Sequence, residues 1–198
     1  MKNSFAQLGV TEPLIAGLAK AGITAPTPIQ ASVIADAVAG RDIIGQSATG
    51  TGKTLAYLLP VFQKIHAEKK ETQVIILAPT HELAMQIFHQ AELLAKNSEI
   101  AITSAVIIGD VNISRQIDKL KERPHIIVGS AGRILELIQK RKINSQTAKI
   151  IVLDEADRLL DDSNRTGVAA VIKTMLKDRQ LMLFSATITP GTIEKAGE

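Results

Sequence analysis

Two four-residue runs, Val74-Ile75-Ile76-Leu77 and Ile150-Ile151-Val152-Leu153, are apolar at every position. A strand with one face in water alternates apolar and polar residues, whereas one apolar on both faces is buried on both, as in a parallel sheet covered by helices. Further β-rich runs occur at Asp42–Ile44, Ile100–Ile108, His125–Val128 and Leu181–Phe184. Between the runs lie helical patterns at Leu55–Ala67, Glu82–Ala95, Ile113–Leu120, Ile134–Lys142 and Val168–Leu176. Strands alternating with helices imply right-handed βαβ crossovers and a three-layer α/β/α sandwich with a mostly parallel sheet. Residues 1–40 read as a mostly helical N-terminal extension packed on that sheet, and 41–198 as the main domain. A chain of 198 residues can bury roughly 70% of its unfolded surface, so this fold needs no disulfide or metal to hold it.

The Asp42–Ile44 strand runs into Gly45-Gln46-Ser47-Ala48-Thr49-Gly50-Thr51-Gly52-Lys53-Thr54, and an apolar helix follows. Strand, glycine-rich turn and helix form the setting of a phosphate-binding loop. Glycines let the backbone curl until successive N–H groups point at phosphate oxygens, and the helix N-terminus adds its positive end. Lys53 is then placed to reach the β- and γ-phosphates and Thr54 to hold Mg²⁺. Ser47 stands where the strict pattern has its first glycine. The alternative is a glycine-rich turn carrying an accidental Gly-Lys-Thr.

Asp154-Glu155-Ala156-Asp157 closes the Ile150–Leu153 run. A carboxylate at the C-terminal end of a parallel strand faces the crevice where ligands of open α/β sheets bind. Asp154 is suited to hold Mg²⁺ through water, and Glu155 to orient an attacking water; phosphoryl transfer needs both roles. Acidic residues also decorate ordinary helix N-termini, but that does not account for the apolar strand feeding them.

Composition narrows the function classes. The net charge is only +3, so contact with nucleic acid must arise from local arrangement. There is no cysteine, which excludes thiolate zinc sites and fits a cytoplasmic setting. His66, His81, His89 and His125 lack metal-ligand spacing. The N-terminus lacks a signal-peptide h-region, and no apolar run reaches the roughly 18 residues of a membrane span. Aromatic residues are 3% of the chain, too few for a base-stacking platform. Lys140-Arg141-Lys142 and Lys119/Lys121/Arg123 form basic clusters of a kind usually found at solvated helix ends.

Asp-Glu-Ala-Asp is the signature of the DEAD-box RNA helicases, and the chain resembles their N-terminal RecA-like domain over nearly its whole length. Gly22–Gln30 is similar to the family's Q motif, with Phe5 as its upstream aromatic. The resemblance implies that Gln30 recognises adenine and that Phe5 packs near the base. A carboxamide can accept from N6 and donate to N7 of adenine together. It further implies an ATP and Mg²⁺ site formed by Ser47, Ala48, Thr49, Gly50, Thr51, Gly52, Lys53 and Thr54 with Asp154 and Glu155. Pro79–Ala84 is similar to the PTRELA segment and Ser130–Arg133 to the TPGR segment. With Gly109 they imply an RNA track through Thr80, His81, Gly109, Ser130, Gly132 and Arg133, touching backbone rather than bases. Ser185-Ala186-Thr187 matches the SAT motif, which implies coupling of ATP state to RNA.

This sequence departs from the family where His81 replaces arginine, Asp110 replaces the second glycine of a pair, and Ser130-Ala131 replaces Thr-Pro. The resemblance also implies a second RecA-like domain as partner, beyond the 198 residues. Two other functions compete: a P-loop GTPase or small-molecule kinase, and an ATP-gated RNA clamp without productive unwinding. No Asn-Lys-x-Asp guanine-reading stretch is present, and the departures at His81 and Asp110 keep the clamp in play.

Overall fold

The computed structural model describes residues 4–109 and 111–188. Six apolar segments form strands among the described residues: β1 (Ile43–Gln46), β2 (Val74–Leu77), β3 (Ser104–Ile107), β4 (Ile126–Gly129), β5 (Ile150–Asp154) and β6 (Gln180–Ser185). They pair in one parallel sheet of order β1-β6-β5-β2-β4-β3. Among the described residues eight helices flank it: α1 (Glu12–Lys20), α2 (Pro28–Val38), α3 (Lys53–Lys64), α4 (His81–Ser98), α5 (Ile113–Leu120), α6 (Ala131–Gln139), α7 (Ala156–Leu159) and α8 (Arg165–Thr174).

The fully apolar strands bury alternate residues on opposite faces, as their period of two requires. Val74, Ile76, Ile126, Val128, Val152, Met182 and Phe184 belong to one core with α1–α4. Ile75, Leu77, Ile127, Ile151, Leu153 and Leu183 belong to the other with α5–α8. The helices of the first 40 residues thus share a core with the sheet and with α3 and α4.

β2 and α5 fall where the sequence pattern puts them, but other boundaries move for local reasons. β3 begins four residues after Ile100 because that stretch first closes α4: Glu99 is left-handed (φ 57°), and Ile100 N–H bonds to Ala95 C=O at 3.1 Å. β1 starts one residue late, since the Asp42 carboxylate accepts Leu181 N–H at 2.7 Å. It also extends through Gly45 and Gln46, which pair with Phe184 and Ser185. A Cβ at Gly45 would lie 2.7 Å from the Phe184 ring, so glycine is required there by packing.

Candidate nucleotide and nucleic-acid site

All strands are parallel, so their carboxyl ends share one edge, where ligands of open α/β sheets bind. β1 delivers the 47–52 loop, β5 delivers Asp154 and Glu155, and β6 delivers Ser185-Ala186-Thr187. On the other half of the same edge, β2 delivers Thr80 and His81, β4 delivers Ser130, and β3 delivers Gly109. Segments more than 100 residues apart in sequence therefore line one rim.

The phosphate-type loop is shaped by two glycines in the left-handed region, Gly50 (φ 80°) and Gly52 (φ 93°). Ala48, Thr49 and Gly50 are exposed. A Cβ at Gly50 would meet nothing within 4 Å, so the inside of the loop is open. Ser47 tolerates the position usually held by glycine because its hydroxyl is bonded to that of Thr51, which donates to Ala48 C=O at 2.7 Å. Lys53 starts α3 and is largely buried.

Gln30 lies beneath this loop and is buried. Its Oε1 accepts Thr27 N–H at 2.9 Å, starting α2, and its Nε2 donates to Gly52 C=O at 3.0 Å. A Cβ at Gly52 would sit 2.5 Å from that nitrogen. The Thr27 hydroxyl beside it is buried, closes a capping box with the Gln30 backbone N–H, and donates to no acceptor among the described residues. A carboxamide with one N–H to spare, a hydroxyl with a hydrogen to donate and a glycine-shaped loop fit a purine nucleotide. Phe5 is buried in the first core.

Asp154 is only 2% exposed. Burial pushes its carboxyl above the usual carboxylate range, opposed by the hydrogen bonds from Tyr57 and Glu155 N–H and by the charge of Lys53. Tyr57 O–H donates to Asp154 Oδ2 at 2.8 Å, and Glu155 N–H to Oδ1 at 2.9 Å. Burial and the neighbouring carboxylate hold the Tyr57 phenol far above its ordinary value, and its hydroxyl also contacts Thr54. Thr54 and Asp154 are thus linked through one hydroxyl. One carboxylate plus one hydroxyl suits Mg²⁺, which keeps several waters and takes other ligands from substrate phosphates. Among the described residues no cluster of three or more His, Cys, Asp or Glu could hold a metal alone. Glu155 takes a left-handed conformation (φ 52°) at the N-cap of α7 and pairs with Arg158 at 3.1 Å.

Ser185 touches both neighbouring loops. Its C=O accepts Ser47 N–H at 3.0 Å, and its Oγ accepts Asp157 N–H at 3.2 Å. Thr187 O–H donates to Asp157 Oδ2 at 2.7 Å, and Gln46 Nε2 to Ala186 C=O at 3.3 Å. Burial pushes the Asp157 carboxyl up, but hydrogen bonds from Thr187, Ser185 and Arg158 outweigh it and hold it below the usual range.

On the other half of the rim, Thr80 caps α4, its hydroxyl accepting Leu83 N–H at 3.2 Å. The exposed His81 ring lies 3.4 Å from where a Gly109 Cβ would stand, so these two residues meet. Ser130 and Gly132 sit at the N-terminus of α6, and a side chain at Gly132 would meet nothing within 4 Å. Arg133 does not project freely: its guanidinium donates to Val111 C=O at 3.1 Å and pairs with Glu136 at 3.1 Å. Asp110 lies outside the described residues. Gln116 is buried and staples this turn, accepting from Ile108 N–H at 3.2 Å and donating to Ile108 C=O at 2.9 Å.

Four residues of this rim carry no role in the sequence reading: Thr27, Tyr57, Gln116 and Asp157. Tyr57 passes for a core member of an apolar helix, and Asp157 for an ordinary first-turn acid. Only the fold reveals their partners.

A six-stranded parallel sheet carrying a phosphate loop and a strand-end Asp-Glu pair defines a RecA-like nucleotide-binding domain. The DEAD/DEAH box helicase family pattern matches residues 27–196, and the chain belongs to that family. It is 46% identical over 171 residues to the probable ATP-dependent RNA helicase YfmL of Bacillus subtilis, covering 86% of this chain and 45% of that protein. It is likewise 46% identical to the DEAD-box ATP-dependent RNA helicase CshC of Bacillus cereus, covering 89% and 45%. The chain thus spans a little under half the length of these curated relatives. Among solved structures, a DEAD box protein of Methanococcus jannaschii superposes with a TM-score of 0.90 at 29% identity, covering all of this chain and 54% of the other. Dbp5 of Saccharomyces cerevisiae bound to RNA and ADP BeF3 gives 0.86 at 33% identity, covering 98% and 49%.

Proposed function

We propose that this chain is the ATP-binding N-terminal half of a cytoplasmic ATP-dependent RNA helicase, which joins a second RecA-like domain to couple ATP hydrolysis to local duplex unwinding. The observation that carries this reading is the connected set Gln30–Gly52–Lys53–Thr54–Tyr57–Asp154 at the carboxyl edge of the sheet. Gln30 reads the adenine edge with its remaining amide hydrogen and Oε1 lone pair, and Phe5 supports that region from the core. The N–H groups of Ser47–Gly52 and the Lys53 ammonium hold the phosphates, since positioning and charge neutralisation dominate phosphoryl transfer. Thr54, and Asp154 through water, would hold Mg²⁺, which when bound would supply neutralisation of phosphate charge. Glu155 orients the attacking water and accepts its proton. Ser185, Ala186 and Thr187 relay the state of the phosphate site toward the RNA half of the rim, where Thr80, His81, Gly109, Ser130 and Gly132 meet phosphates.

Arg133 supports the second reading, an ATP-gated RNA clamp, because its guanidinium is committed to Val111 and Glu136. The two readings part on turnover. In the protein joined to its second domain, RNA-stimulated ATP hydrolysis abolished by Glu155→Gln with ATP affinity kept supports the helicase; ATP-dependent RNA binding without stimulated turnover supports the clamp. Equal affinity of the wild-type chain for ATP and GTP in calorimetry would overturn the adenine assignment that both share.

A further inference from the structure

The two basic clusters at Lys119/Lys121/Arg123 and Lys140-Arg141-Lys142 are distant from the carboxyl rim. The fold brings them together at the opposite edge of the sheet, where Thr72 precedes β2, Arg123 precedes β4 and Asn144 precedes β5. They face each other across a groove of about 590 Å³. Lys70, Lys121, Arg123, Arg141 and Lys142 line it, against one carboxylate, Glu71. Lys121 is paired with Asp118 at 2.7 Å. Lys70, Arg123, Arg141 and Lys142 are exposed, and none has an ion-pair partner among the described residues. Strands of four to six residues rise about 3.3 Å per residue, so the body of the sheet separates this groove from the nucleotide rim.

The groove is built on a tied floor. Thr147 O–H donates to Thr72 C=O at 2.7 Å, joining the loop before β5 to the start of β2. Arg123 and Arg141 follow α5 and α6 in the left-handed conformation, with φ of 54° and 56°. Glycine or asparagine is the cheap residue in that conformation. A helix C-terminus favours a nearby cation, which accounts for each arginine alone. It does not account for Lys70 arriving from a different loop to complete a row of unneutralised charge.

We propose that this groove is a second phosphate-binding surface, which holds the backbone of an RNA segment lying outside the main track. The proposal rests on the reading that the chain binds RNA. Phosphate backbone is recognised by lysine and arginine without base contacts. Protein docking surfaces instead centre on buried aromatic or apolar anchors, and Leu120 is the single large apolar residue lining this groove. The partner is a duplex or folded flank of the RNA whose single-stranded part occupies the carboxyl rim.

The test measures anisotropy of a labelled RNA hairpin with a single-stranded tail, across a KCl series, on the 198-residue chain. The variant is Arg123→Gly/Arg141→Gly/Lys142→Gln, in which glycine relieves the backbone while removing charge. Losing three phosphate contacts lowers the slope of log affinity against log salt by about 2–3, with ATP affinity unchanged. The double variant Lys70→Gln/Lys142→Gln alters only exposed side chains and gives about two-thirds of that change, so the outcome does not depend on the glycines folding well. Wild-type affinity and slope in both variants overturn the groove while leaving RNA binding at the rim intact. No RNA binding by the wild-type chain overturns the groove together with the functional reading beneath it. Poly-glutamate bound more tightly than RNA by the wild type, and lost in both variants, overturns it in favour of an acidic protein partner.

Discussion

Tyr57→Phe isolates a single hydroxyl in the half of the site proposed to hold Mg²⁺. The ring is fully buried and packs on Phe184 with centroids 5.3 Å apart, a contact phenylalanine preserves. What disappears is the 2.8 Å bond to Asp154 Oδ2. Burial already pushes the Asp154 carboxyl up, and this bond opposes it, so the variant's carboxyl rises further. A hydrogen bond to a charged group contributes about 1.5–3 kcal/mol. Mg²⁺ competes with the proton for Asp154, so that loss appears as a need for about ten- to a hundredfold more Mg²⁺. The need is greater at pH 6 than at pH 8, because a carboxyl pushed further up holds its proton more readily as pH falls. The assay is fluorescence of a labelled ATP analogue titrated with Mg²⁺ at the two pH values, with binding in excess chelator as the control that stays equal. The same Mg²⁺ requirement in both proteins at both pH values would refute the assignment of Tyr57 as the residue that positions Asp154.

Three further outcomes follow from the geometry. Gly52→Ala places a Cβ 2.5 Å from Gln30 Nε2 at a φ of 93°; the left-handed strain alone costs about 1–2 kcal/mol, and calorimetry should show ATP affinity reduced at least tenfold (~1.4 kcal/mol) with the fold retained. His81→Arg should tighten RNA binding and add about 0.7 to its salt slope for one more single-strand phosphate contact; an unchanged slope would put residue 81 off the RNA path. His125 Nδ1 accepts Thr103 N–H at 3.0 Å, so its proton sits on Nε2 facing Ala67 C=O, and burial holds the imidazole below its ordinary value. A base depressed by folding contributes stability above its unfolded value of about 6.5 and loses it as pH falls through the folded value. Thermal melts should therefore show wild-type stability declining below pH 6.5 more steeply than that of His125→Gln.

Much of the architecture is legible in local pattern because the strands are apolar on both faces. Val74–Leu77 and Ile150–Leu153 leave no solvent face, and a parallel sheet is their one consistent home. The phosphate loop and the Asp154-Glu155 pair are legible for a similar reason, since each chemistry needs contiguous residues at a strand end. What the sequence hides is pairing over distance. Tyr57 and Asp154 are 97 residues apart, and Asp157 and Thr187 are 30 apart. Arg133 reads as an RNA contact from its segment, yet its bonds go to Val111 and Glu136 because α6 packs against that turn. The two basic clusters look like separate helix ends, and only the order β5-β2-β4 sets them across one groove.

The insertion of β6 between β1 and β5 has a consequence for how the domain works. Adjacent strands lie about 4.8 Å apart, so the phosphate loop and the Asp154 turn stand two spacings apart, roughly 10 Å. That gap is about the width of a phosphate group with a hydrated cation beside it, and the end of β6 is its floor. Ser185 spans the floor, bonded to Ser47 on one side and Asp157 on the other. Widening the gap must stretch one of those bonds, and Thr187 is attached to the same Asp157. On the proposed nucleotide-binding reading, these bonds act as a caliper, in which the distance between two loops sets the position of a third segment.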